Sequence, residues 1–293
     1  MVTSANSIES LRRASLFQGG ALASYPTSVA LEGDPKKLLK WAVKRIRKRQ
    51  ELLYADGSQA ILFVFQGMDC AGKDSTIKHV LSGVNPAGVH VANFGVPTDN
   101  ELAHSYMWRH WRDLPKRGRI GVFNRSYYEE VLVMRVHPEY FGGRQMPQPE
   151  INDAFWADRI ADMVSTEEHL RTNGIHVVKF FLNVSKQEQA RRLLDRIAEH
   201  DKHWKFNLGD MDERRLWPAY QDAFQHAIAG SHTPQAPWYV IPADDKPTMR
   251  ALVATAMAHH LEKLDLQFPV VDEATKMQFD AAKEELETSL RTE

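Results

Sequence analysis

Cysteine is nearly absent: Cys70 is the single one in 293 residues. An internal disulfide is therefore excluded, and the usage fits a reducing compartment. No apolar run approaches the roughly 20 residues that a membrane helix needs. The opening stretch MVTSANSIESLRRASLF has no apolar core of leader-peptide length. Net charge is almost lacking too, at −1, so no global field draws the chain to nucleic acid or to a membrane surface. An RNA-binding motif, repeats and low-complexity tracts are also missing. These absences predict a soluble cytoplasmic protein with no membrane and no nucleic acid among its partners. What is present is ordinary for a globular enzyme: 43% hydrophobic and 26% charged residues, enough for a sizeable core.

The near-zero charge hides local excess. Lys36 to Arg49, KKLLKWAVKRIRKR, carries eight basic residues and no acid. Leu38, Leu39, Ala42 and Ile46 recur near helical spacing, which predicts an amphipathic helix with a basic face over 33–56. That face is either a solvated surface or a rim that attracts a polyanion. Residues 1–32 lack periodicity and read as a loosely packed arm. From there strand-like runs alternate with helical ones: 61–65, 89–94, 120–124, 176–184 and 238–243. They are short and apolar on both faces, as buried parallel strands are. TDNE (Thr98 to Glu101) and SKQE (Ser185 to Glu188) are capping-box starts. The expected fold class is α/β: a parallel five-stranded sheet flanked by helices, with ligands at the carboxyl ends of its strands. Residues 33–270 form the main domain, and 271–293 form a charged C-terminal helix that either packs as a tail or mediates assembly into a homo-oligomer.

One loop carries the chemistry. Strand Ile61–Phe65 leads into Gly67, then four residues, then Gly72 and Lys73. A glycine-rich turn between strand and helix points backbone N–H groups, including that of Ala71, at an anion. Lys73 adds a point charge for the outer phosphates. The usual pattern follows the lysine with Ser or Thr to hold Mg²⁺; here Asp74 stands there. Asp69, inside the loop, can hold Mg²⁺ in its place, since that ion takes one or two carboxylates, waters and substrate phosphates. Ser75 and Thr76 are candidate hydroxyl contributors. Asp74 is either a site residue or a first-turn acid favoured by the helix dipole.

Two basic clusters follow. In residues 106–137, Arg109 and Arg112 sit one helical turn apart, then come Lys116 and Arg119. Arg125 stands directly after strand 120–124, where a ligand-facing residue is expected, and guanidinium forks suit phosphate. A carboxylate at the end of this strand commonly serves the metal in P-loop enzymes; Asn124 occupies it here, so the task passes to Asp69 and Glu129. The cluster is functional or a set of surface ion pairs. In residues 191–207, Arg192 and Arg196 share a helical face, and Lys202 and Lys205 flank Trp204. Residues 190–215 read as a mobile helical lid that excludes water from transfer, or as a solvated basic loop.

The stretches LFVFQGMDCAGKDSTIKHVLSGVNPAGVHV, FNRSYYEEVLVMRVHPE, HWKFN with DERRLW, and APWYVIPADDKPTMR together resemble the second polyphosphate kinase family. The similarity runs from about residue 33 to 266, with four motifs in order. It implies a three-layer P-loop kinase fold with a lid and a basic polyphosphate channel. It also implies Mg²⁺-dependent, reversible phosphoryl transfer between inorganic polyphosphate and a nucleotide. Gly67, Asp69, Gly72 and Lys73 match the family's phosphate loop, which itself has Asp after the lysine. Asn124–Arg125 matches its second motif, and the FNRS-x-YE form resembles the third subgroup. That likeness implies use of both AMP and ADP as acceptors, giving ADP and ATP, with Glu129 bearing on acceptor choice. Arg192, Arg196, Lys202 and Lys205 match the lid. Lys78, Lys116 and Arg119 are the candidates for spaced contacts along the polyphosphate chain. Two other classes compete on the residues alone: an ATP-dependent small-metabolite kinase, and a nucleic-acid-binding or switch protein using the loop as a regulatory pocket.

Overall fold

The computed structural model describes residues 12, 13, 15–144, 147 and 150–292. The first helix, α1 (Pro35–Asp56), starts where the Asp34 carboxylate accepts the Lys36 N–H at 2.9 Å and stops at Gly57, in the left-handed region with φ +69°. Its apolar stripe of Leu38, Ala42, Val43, Ile46 and Leu53 is buried. The basic side chains Lys36, Lys40, Lys44, Arg47 and Lys48 on its other face are exposed.

Five strands follow as predicted: β1 (Ala60–Gln66), β2 (Val89–Asn93), β3 (Ile120–Asn124), β4 (Ile175–Asn183) and β5 (Trp238–Pro242). All pairs are parallel, in the order β2-β3-β1-β4-β5. The central β1 is buried at every residue, whereas edge strand β2 buries only Ala92, which is why β1 reads as one apolar run and β2 does not. The register sets Phe65 opposite Asn124, and Asn124 opposite Asn93. The carboxyl ends of the three strands thus form one rim.

Helices cover both faces. On one, α1 and α2 (Lys73–Val80) pack with α10 (Lys246–Lys263). On the other, α5 (Glu129–Val136), α6 (Asp153–Thr172) and α9 (Trp217–Ser231) pack together. Short helices α3 (Asp99–Leu102) and α4 (Trp108–Arg112) lie between β2 and β3, and α7 (Lys186–Ala198) and α8 (Gly209–Arg215) between β4 and α9. One of the two expected capping boxes forms in full, Thr98 with Glu101; at the other the Ser185 hydroxyl accepts the Glu188 N–H, but the Ser185 N–H goes to Asp244 and the Glu188 carboxylate to Arg192. The last helix, α11 (Glu273–Thr292), leaves Met277, Phe279, Leu286 and Leu290 exposed. Among the described residues no helix is long and apolar enough to cross a membrane.

The arm departs from its expected looseness. Leu16 makes an antiparallel bridge to Tyr239, the Phe17 N–H donates to the Trp238 carbonyl at 2.9 Å, and Phe17 and Leu22 are buried in the main core. A short irregular segment offers no period to detect, yet a few apolar side chains suffice to seal it onto the sheet edge. Residues 1–11 and 14 lie outside the described residues.

Candidate phosphoryl-transfer site

The loop between β1 and α2 is held in shape by backbone geometry that few residue types allow. Gly72, the residue before α2, has φ +103°, and a Cβ there would meet Met249 Cε at 3.2 Å and Arg192 Nη1 at 3.6 Å. At Gly67 a Cβ would sit 3.0 Å from the Leu182 carbonyl of β4. The loop can lie this close to the strand and to α10 only with glycine at both places. Cys70 is also left-handed, with φ +62°. Burial raises its thiol pKa to about 11, so it is protonated at neutral pH and no nucleophile.

Lys73 opens α2 and is buried. Its ammonium donates to the loop's own carbonyls, Gly67 at 2.6 Å and Met68 at 3.3 Å. Burial first, then the Arg125 charge, lowers its pKa to about 8 against the pull of Asp69, Glu129 and Asp74. Arg125 follows β3 directly and has φ +63°, a strained conformation for an arginine. Its backbone N–H donates to the Phe65 carbonyl at 3.0 Å. Its guanidinium spans two carboxylates, Asp69 at 2.7 Å and Glu129 at 3.4 Å. Burial would raise the Asp69 pKa, but Lys73 and Arg125 hold it below the usual carboxylate range. The Ala71 N–H, expected to face an anion, donates instead to the Met68 carbonyl within the loop at 3.1 Å. Two carboxylates around one cation, beside this loop, are hard oxygen donors of the kind that suit Mg²⁺ together with water and phosphate oxygens.

The cleft above this floor is lined by Gly67, Met68, Asp69, Arg125 and Glu129. Leu132, Val133, Tyr220 and Phe224 form an apolar wall, and Gln189, Glu213 and Arg214 come from α7 and α8. The last three and Tyr220 were not singled out in the sequence, although DERRLW contains two of them. Gln189 donates to the Asp69 carbonyl at 2.9 Å, and Arg214 donates to Gln189 at 2.6 Å. Glu213 accepts from Tyr220 at 2.5 Å and lies 3.1 Å from a ring nitrogen of His137. Helices α7 and α8 are therefore stitched to the loop by side chains.

The remaining predicted residues divide. Asp74 accepts the Asn124 side-chain amide at 2.7 Å, tying the first turn of α2 to the end of β3. Ser75 accepts from Arg250 at 3.0 Å, and Thr76 is fully buried against the Met249 sulfur. Arg109 lies at the rim, donating to the Gly95 carbonyl at 2.9 Å with Glu101 3.8 Å away. Arg112 stacks over Trp108 at 4.6 Å and is exposed. Arg196 reaches Asp210 at 3.6 Å, and its charge is felt at Asp69. Asp210 itself is raised, by burial and then by Asp69. Arg192 is buried away from the lid's outer surface. Its guanidinium donates to the Cys70, Ala71, Ala243 and Asp244 carbonyls at 2.5 to 3.1 Å and to Glu188 at 2.9 Å. It clamps the phosphate loop to the turn before α10. Lys78 is exposed on α2. Lys116 and Arg119 are not brought to the site: they precede β3, at the amino end of the sheet, where Arg119 bonds the Ala87 carbonyl and lies over Tyr54. The side chains of Lys202 and Lys205 lie outside the described residues; their backbone is in a 3-10 turn, His200–Lys205.

Fold and site define a phosphotransferase of the P-loop kinase class: a parallel sheet, a glycine loop closing on a lysine-led helix, and an arginine flanked by carboxylates beside it. The family model for polyphosphate kinase 2 matches residues 32–269. The chain belongs to the polyphosphate kinase 2 family. It is 43% identical over 270 residues to an ADP-polyphosphate phosphotransferase of Rhodopseudomonas palustris, covering 90% of this chain and 93% of that one. It is 41% identical over 262 residues to an AMP/ADP-polyphosphate phosphotransferase of Meiothermus ruber, covering 89% and 90%. Among solved structures, polyphosphate kinase 2 from Arthrobacter aurescens superposes with a TM-score of 0.83 at 33% identity, over 92% of this chain and 95% of that one.

Proposed function

We propose that this protein transfers the terminal phosphoryl group of inorganic polyphosphate to AMP and ADP, yielding ADP and ATP. The observation that carries this reading is Arg125 held between Asp69 and Glu129 at the mouth of a loop whose lysine is buried among carbonyls. A cation-rich floor under an apolar wall suits two ligands at once, a phosphate chain and a nucleoside.

The acceptor oxygen of an AMP or ADP phosphate is already ionised, so no general base is required of the protein. It attacks the terminal phosphorus in line; the new P–O bond forms as the bond to the bridging oxygen breaks, and the shortened chain leaves with that electron pair. Such transfer needs positioning and charge neutralisation above all. Lys73 turns from the Gly67 and Met68 carbonyls to the phosphate oxygens. Arg125 holds the transferred group, and Arg196 and Arg214 draw the lid over it. Asp69 and Glu129 would hold Mg²⁺, whose charge neutralises phosphate oxygens when bound. In a reducing cytoplasm the lone thiol Cys70 stays buried and protonated. The apolar side chains exposed along α11 support a homo-oligomer as the working form.

Polyphosphate supplied with ADP or with AMP, as the only phosphoryl donor, tests the proposal when products are separated by chromatography. ATP from both acceptors is the expected result; ATP only when another nucleoside triphosphate is added would overturn it.

A further inference from the structure

Between Arg125 and Glu129 lie three residues, and all of them are buried. Tyr127 and Tyr128 are at most 1% exposed. Both hydroxyls donate to the same oxygen of Glu167 on α6, at 2.9 and 2.8 Å. The other oxygen of Glu167 accepts from Lys179 on β4, which is wholly buried. The Lys179 ammonium also donates to the Ser231 carbonyl of α9 at 2.8 Å and to the Tyr128 hydroxyl at 3.1 Å. Its three protons are thereby used, and so are both oxygens of Glu167.

This ion pair is a poor device for stability alone. Taking two charges out of water costs several kcal/mol each, and apolar replacements of similar shape are often neutral or stabilising. A fully satisfied buried network instead fixes a unique arrangement. Here it grips the middle of a five-residue segment whose two ends, Arg125 and Glu129, line the cleft. One of those ends, Arg125, has a backbone that would relax if released, since φ +63° is unfavourable for a side chain with a Cβ.

We propose that Glu167, held by Lys179, is a positioning residue for phosphoryl transfer. It acts through Tyr127 and Tyr128 to keep Arg125 and Glu129 aimed at the loop, although it touches neither substrate nor loop. The proposal rests on the phosphotransfer reading above.

The test is a double-mutant cycle between the network and Arg125. Glu167→Met/Lys179→Met removes both charges at nearly constant volume but leaves the Tyr127 and Tyr128 hydroxyls and the Ser231 carbonyl without these partners, so the melting temperature should fall while the fold is retained, and rates are compared well below it. The expected result is a fall in kcat of about tenfold or more with KM for ADP changed less than about threefold, since a small misplacement far from the chemistry slows turnover. Arg125→Lys should cost about a hundredfold in the native background but under about tenfold in the network variant, because sites that act together are not additive. Equal factors in both backgrounds would show a merely structural network and overturn the proposal. If the double variant does not fold, Tyr127→Phe and Tyr128→Phe run the same cycle. Calorimetric binding of tripolyphosphate repeats it without turnover, so inactivity of the native protein on polyphosphate would sink the functional reading while leaving this cycle to be read.

Discussion

Asn124, the last residue of β3, donates its side-chain amide to the Asp74 carboxylate at 2.7 Å and to Asn93 at 2.8 Å. Three elements meet through that amide: the ends of β2 and β3 and the first turn of α2. The residue that stands where a metal-binding hydroxyl is usual thus has a physical task. It fixes the helix that carries Lys73 against the strand that carries Arg125. Asp74→Ala should lower stability by about 1 kcal/mol, the net value of one such bond, and cut kcat/KM more than melting would suggest. Asp74→Asn, which keeps an acceptor, should recover part of the loss. Chemical denaturation and initial rates on the same preparations check both.

Lys73 gives a pH signature. Its pKa in the free protein is lowered to about 8, and phosphate binds the protonated form. As pH rises through about 8 the free protein loses that charge, so kcat/KM should fall. Bound phosphate favours the ammonium and raises the pKa, so kcat should stay flat over the same interval. Lys73→Met should abolish the kcat/KM limb along with about 99% of turnover, as expected when a charge aimed at the transition state is lost. A limb that survives in Lys73→Met would assign it to another group.

Neighbouring arginines on α7 should behave oppositely. Arg192 is 5% exposed and serves four carbonyls and Glu188, whereas Arg191 is 61% exposed at its side chain and only approaches Glu188 at 3.4 Å. Arg192→Ala should destabilise by about 3 kcal/mol or more, as a buried charged partner lost leaves its acceptors unmet. Arg191→Ala should stay within about 0.5 kcal/mol, the usual range for an exposed pair. Thermal melts of the two single variants decide.

Cys70 offers a readout of loop integrity. Burial raises its pKa to about 11, so labelling by a thiol reagent at pH 8 should be slow in the native protein and fast after denaturation. Tripolyphosphate should slow it further by closing the loop. Rapid labelling of the folded protein would mean that the loop opens readily.

Much of this was legible because the physics is local. Residues 61–65 and 176–184 announce buried parallel strands by being apolar on both faces, and Thr98 and Ser185 announce helix starts by spacing to a glutamate. The phosphate loop is local too, so Lys73 and Asp69 could be found from eight residues of chain. Arg192 stood out in the sequence, but its clamp on the loop could not be read there: its partners at 243 and 244 come near only through the fold, and backbone carbonyls leave no trace in residue type. Gln189 of α7, Glu213 of α8 and Tyr220 of α9 likewise reach the cleft only by tertiary packing. Lys116 and Arg119 stand away from this cleft for a different reason. They are near β3 in sequence but precede it, and a parallel strand puts what precedes it at the end opposite the ligand.

The contacts of Lys73 and Arg125 have a consequence for what the site admits. Each cation already has internal partners, two carbonyls for one and two carboxylates for the other. An incoming anion must therefore displace bonds of similar strength before it gains any. A single weak anion, such as chloride or one phosphate, replaces only part of them and is poorly held. A ligand bearing several adjacent charges replaces all of them together, and its later charges act at high effective concentration once the first is seated. Selection for a charged chain over its monomer thus follows from competition inside the apparatus itself, before any contact outside the cleft is made.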